Sequence, residues 1–125
     1  MEPKTEYKFD KSTGILYKYY HGHVNLKVIT SSWQYAFDNN IIPKNVKGFI
    51  LDFRDATLKM NIKETSRIAD FYGQHSNVFK NKKVGLIMQE PEQVVFPIAI
   101  ELENIEFFPR PFYTETAAIK WILKG

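Results

Sequence analysis

The sequence predicts an α/β domain: one mixed sheet of about five strands with four helices, in the order β-β-α-β-α-β-α-β-α. Three observations carry this. Segments that alternate in period two, or run apolar without interruption, take turns with segments whose apolar residues recur every three or four positions. The run Gly48-Phe49-Ile50-Leu51 holds no charge, the pattern of a strand covered on both faces. The 125 residues contain no repeat and no Gly/Ser/Pro-rich divider, so residues 1–125 read as a single domain.

Tyr7-Lys8-Phe9-Asp10 alternates, Lys11-Ser12-Thr13-Gly14 supplies turn chemistry, and Ile15-Leu16-Tyr17-Lys18-Tyr19-Tyr20 resumes with β-formers, which together read as a hairpin. After His21-Gly22-His23, a first helix is expected over 25–39, with Leu26, Ile29, Trp33 and Phe37 on one stripe. Asn25 caps it by accepting from a free first-turn amide, and Val24 staples onto Ile29. Pro43-Lys44-Asn45 turns the chain into a central strand over 46–53, which Asp52-Phe53-Arg54-Asp55 closes. Asn61-Ile62-Lys63-Glu64 has capping-box spacing and opens a second helix whose stripe is Ile62, Thr65, Ala69, Tyr72 and Phe79. Residues 83–89 form another buried strand. A third helix is expected over 91–104, started by Pro91, although Pro97 inside it would cost about 3 kcal/mol or force a kink. Residues 105–113 are strand-like, but Pro109 and Pro111 demote them to a short or edge strand. Thr114 then caps a last helix docked by Ala118, Trp121 and Ile122, with Glu115 complementing the dipole. The later strands are expected to pair in parallel through right-handed crossovers.

Composition removes several function classes. There is no cysteine, which excludes disulfides, thiolate nucleophiles, zinc ribbons and iron-sulfur clusters and suits a cytoplasmic location. Seventeen Lys and Arg against fourteen Asp and Glu leave a formal net charge of +3. That excess is scattered, and the densest basic stretch, Lys80-Asn81-Lys82-Lys83, lacks the Arg clusters and interleaved aromatics of a nucleic-acid groove, so nucleic acid is not an expected partner. Residues 1–10 have no apolar core and so no export leader is expected. A membrane span needs about 20 apolar residues, and the run from Val94 to Ile100 is interrupted by Pro97, so no span is expected. Gly-rich phosphate loops, Gly-x-Ser-x-Gly elbows and His-Glu-x-x-His motifs are missing, and no cofactor is expected.

The element order is joined by particular stretches: Leu51-Asp52-Phe53-Arg54-Asp55, Val84-Gly85-Leu86-Ile87, and Phe112-Tyr113-Thr114-Glu115-Thr116-Ala117-Ala118-Ile119-Lys120-Trp121-Ile122. With these the chain resembles the SpoIIAA-like group, related to the STAS domain of anti-sigma-factor antagonists and of the cytoplasmic ends of anion transporters, and sharing a SEC14-like label. The resemblance implies a SpoIIAA/STAS-like fold and a regulatory, non-catalytic role in binding another protein. In the anti-sigma-factor antagonists the switch is a phosphorylatable serine in an Asp-Ser-Ser/Thr-Gly stretch after the central strand. Between Phe53 and Ile68 this chain has no such stretch, and Asn61 stands at the cap, so the phosphoswitch is not carried over.

The candidate binding residues are Asp52, Arg54, Asp55, Thr57 and Asn61, at the carboxyl end of the central strand and the entry to the second helix, where open α/β sheets place ligands. Two acids three apart can support acid/base work if one is desolvated. The plainer reading has Asp52 satisfying loop amides and Arg54 paired with Asp55. His21 and His23 point to one side of an extended chain but offer only two ligands, so no metal is expected. An alternative partner is a small apolar or lipid-like molecule held between helices and sheet by Met60, Phe71, Val95 and Phe96. The segment 7–10 offers a strand that could pair across a dimer, but its brevity and charges argue against it, and the sequence sets no oligomeric state.

Overall fold

The computed structural model describes residues 3–103 and 105–124; the sequence expectations that reach Met1, Glu2 and Asn104 extend outside the described residues. Strands β1 (Lys4–Asp10) and β2 (Ile15–Val24) form the expected antiparallel hairpin, with Asp10 opposite Ile15. Asp10 fixes the turn by accepting from the Ser12 amide and from the Ser12 and Thr13 hydroxyls. β3 (Gly48–Leu58), β4 (Lys83–Ile87) and β5 (Phe108–Phe112) follow in parallel, and the sheet order is β1-β2-β3-β4-β5. β3 is therefore central, as its charge-free run predicts.

Five α-helices stand among the described residues: α1 (Leu26–Asp38), α2 (Thr65–Gln74), α3 (Ser76–Phe79), α4 (Val95–Glu101) and α5 (Glu115–Leu123). One more than expected arises because His75 leaves helical geometry at φ −115° and ψ 38°, which splits the second helix and puts Phe79 on a turn of its own. The caps form as predicted. Asn25 accepts from the Val28 amide and Thr114 from the Ala117 amide. A capping box forms over a 3-10 turn (Ile62–Glu64) that leads into α2: the Asn61 side-chain oxygen accepts from the Lys63 amide and the Glu64 carboxylate from the Asn61 amide. Pro97 lies in the first turn of α4, where its missing N–H would have had no intrahelical acceptor, so the cost of an interior proline is not incurred.

The sheet's two faces are covered unequally. On one, α1 to α4 enclose an aromatic-rich core in which Trp33, Tyr20, Phe49 and Phe79 are almost fully buried. Trp33 meets Phe49 and Phe79 edge-on at 5.6 and 5.0 Å between ring centroids, the geometry aromatic quadrupoles favour. Among the described residues the other face is packed by α5 alone, through Ala118 and Ile122 against Ile15, Tyr17, Ile50 and Ile87. No helix of the described residues is long and apolar enough to cross a membrane.

Candidate functional site

β3 does not close at Asp52 to Asp55. It runs on to Leu58, because β2 also continues through His21-Gly22-His23 to Val24 and offers parallel partners that far, His21 to Asp55 and Val24 to Leu58. β4 stops opposite Asp52, so the last part of β3 projects past it, paired on one side only. The register shifts between Tyr19, opposite Asp52, and His21, opposite Asp55: β3 spends one extra residue there, a bulge that re-aims the side chains around Arg54.

Asp52 pins this bulge. Its carboxylate is buried and accepts from the Arg54 amide at 2.9 Å, from Arg54 Nε at 3.1 Å and from Arg54 Nη2 at 2.6 Å. Both oxygens are thus committed to one guanidinium in a fork, which leaves the group suited to holding backbone rather than to shuttling a proton. Those bonds hold the Arg54 guanidinium above its already high range. Arg54 also lies 3.6 Å from Glu115 at the start of α5, tying the strand's exit to that helix. The structure so corrects the expected Arg54 to Asp55 pair. Asp55 is drawn instead toward His21, 3.8 Å away, whose other ring nitrogen is 3.3 Å from Glu6. His21 and His23 lie in β2 itself, and among the described residues no group of three His, Asp or Glu is placed to hold a metal.

Thr57 is exposed one turn of the pleat beyond Asp55, opposite His23. Asn61 is exposed at the capped turn, and Ile62 beside it is 44% exposed rather than on the buried stripe. Asp52 and Arg54 are brought together; Asp55, Thr57 and Asn61 follow along an outward strip, and none of the five lines the apolar cavity under the helices. That cavity holds about 40 Å³. Of the residues named for an apolar ligand, Met60 and Phe96 line it, while Phe71 and Val95 do not. Drug-sized ligands occupy roughly 300 Å³ or more, so this space fits a water or a methyl group and little else.

One residue went unnoticed in the sequence. Lys18 is fully buried, its Nζ without a hydrogen-bond partner, 3.7 Å from the centre of the Trp33 ring and 4.7 Å from that of Tyr20. Burial pushes the amine well below the ordinary lysine range. An aromatic face returns about 2 kcal/mol to a desolvated cation, less than the several kcal/mol that desolvation costs, so the balance shifts toward the neutral form. The signal was present: Leu16, Lys18 and Tyr20 share one face by strand alternation.

No family model matches the sequence, and no curated protein matches it. Its fold is similar to that of an uncharacterized protein from the DUF3478 family with a SpoIIAA-like fold, from Shewanella loihica PV-4, at a TM-score of 0.64 and 11% identity over 96% of this chain and 93% of that one. A structure of the anti-sigma factor antagonist SpoIIAA in its unphosphorylated form aligns at a TM-score of 0.49 and 11% identity, over 98% of this chain and 100% of that one. This chain has a SpoIIAA-like fold.

Proposed function

We propose that the chain is a non-catalytic, STAS-like regulatory domain that binds another protein through the projecting end of β3 and the capped turn that follows, residues 57–66. The observation that supports this most is a rigid, outward surface with an apolar centre. Asp52 and Arg54 brace the strand, and Asn61 and Glu64 brace the turn. Between those braces Ile62 stands 44% exposed. Fixed apolar residues ringed by polar ones are what protein interfaces anchor on, because little side-chain order remains to be lost on binding. The small apolar cavity gives the ligand-binding alternative less room than a lipid-like molecule needs.

The test is a pull-down from native extract with the full chain and with Thr57→Arg and Ile62→Ser variants whose circular dichroism is unchanged. The reading expects one partner to be captured by the parent and lost by both variants. Retention of every partner by the variants, or a robust turnover abolished by Asp55→Ala, rejects it.

A further inference from the structure

The outer face of α4 is apolar where a surface helix is ordinarily polar. The helix buries Pro97 and Ile100. Its outward residues Val95 and Ile98 and its C-cap Leu102, spaced i, i+3 and i+7, are 46%, 51% and 83% exposed. The same stretch is strongly charged around that stripe. Residues 90–106 hold five glutamates and no lysine or arginine, in a chain whose formal net charge is +3. Glu90, Glu92, Glu101 and Glu103 are all exposed, and none of them has an ion-pair partner among the described residues.

We infer that the outer face of α4 is a docking surface for a cationic amphipathic helix of another protein. The stripe supplies a row of anchors at helical spacing and the four glutamates a complementary rim, the combination by which an apolar helix face flanked by Lys and Arg is recognised. The rim also discriminates among other covers. An isologous contact between two copies would set glutamates against glutamates, and an anionic bilayer would be repelled by the same charges. This surface is built from residues other than 57–66, so substitutions in one set test it independently of the other.

The probe is a synthetic Leu/Lys amphipathic peptide of about four helical turns, titrated against the full chain. Binding is expected to weaken as salt rises, and to fall about tenfold in Leu102→Ser. A similar loss is expected when Glu92, Glu101 and Glu103 are changed together to Gln, whereas Ile62→Ser leaves binding unchanged. Because Leu102 is almost fully in solvent, its substitution leaves the core intact, and circular dichroism checks this. Equal binding of a Leu/Glu peptide of the same pattern, or an unaffected Leu102→Ser variant, overturns the inference. So does sedimentation with phosphatidylserine vesicles, or concentration-dependent dimerisation, that Leu102→Ser abolishes.

Discussion

Lys18 carries its amine into the core without a hydrogen-bond partner. Its depressed pKa means that the folded chain binds fewer protons than the unfolded one, so stability rises with pH from the lowered folded value up to the ordinary lysine range near 10. The slope for one proton is on the order of 1 kcal/mol per pH unit. Above about pH 10 the trend reverses, since burial pushes the Tyr7 hydroxyl up to about 12 and raises those of Tyr20 and Tyr72 as well. Urea unfolding between about pH 7 and 9.5 should show the parent gaining stability while Lys18→Met is flatter and more stable at the lower end. A parent curve with no rise would show that the amine keeps its proton in the core. Another buried polar contact is simpler: Trp33 Nε1 donates to the Tyr72 hydroxyl at 2.9 Å and joins α1 to α2. Tyr72→Phe strands that N–H and is expected to cost about 1–3 kcal/mol, read as a lower urea midpoint at unchanged m. An unchanged midpoint would mean the indole finds another acceptor.

At the scale of elements, α5, the one helix on its face of the sheet among the described residues, packs there by close approach. A Cβ built on Gly48 would sit 2.7 Å from Ile122 Cγ2 and 3.1 Å from the Lys83 carbonyl oxygen, and one on Gly85 would sit 3.2 Å from the Ala118 Cβ. Gly48→Ala is therefore expected to destabilise the chain by about 1–3 kcal/mol, with Ile122→Ala giving a less-than-additive double variant because the clash is shared. Strict additivity would place the strain elsewhere. The caps at Asn25, Asn61 and Thr114 were legible because an N-cap is a local bond between neighbours in sequence. The extent of β3 was not. Ala56-Thr57-Leu58 becomes strand only because β2, more than thirty residues earlier, runs just as far, and Arg54 prefers Asp52 and Glu115 over Asp55 because the bulge turns it that way.

Across the whole molecule the two edges of the sheet are protected differently. β1 carries Lys4, Glu6 and Lys8. At the other edge, the Phe108 amide donates to Lys82 and the Phe112 carbonyl accepts from Met88, so the backbone nitrogens of Pro109 and Pro111 face the free edge, where their missing N–H groups leave no ladder to extend. Edge-to-edge pairing is disfavoured on both sides, which leaves the helical faces and the projecting end of β3 as the surfaces open to a partner. The central position of β3 could be read from Gly48 to Leu51, since two covered faces leave no room for charge. That Asp55 and Thr57 at its outgoing end face solvent, while Leu58 lines the small cavity, depended on where β4 stops. The most direct measurement is site-specific photo-crosslinking in native extract, with the reactive side chain placed once at position 62 and once at position 35, an exposed site on α1. A discrete adduct from position 62 and none from position 35 is the predicted result; equal adducts from both, or none from 62, would contradict a docking surface at the end of β3.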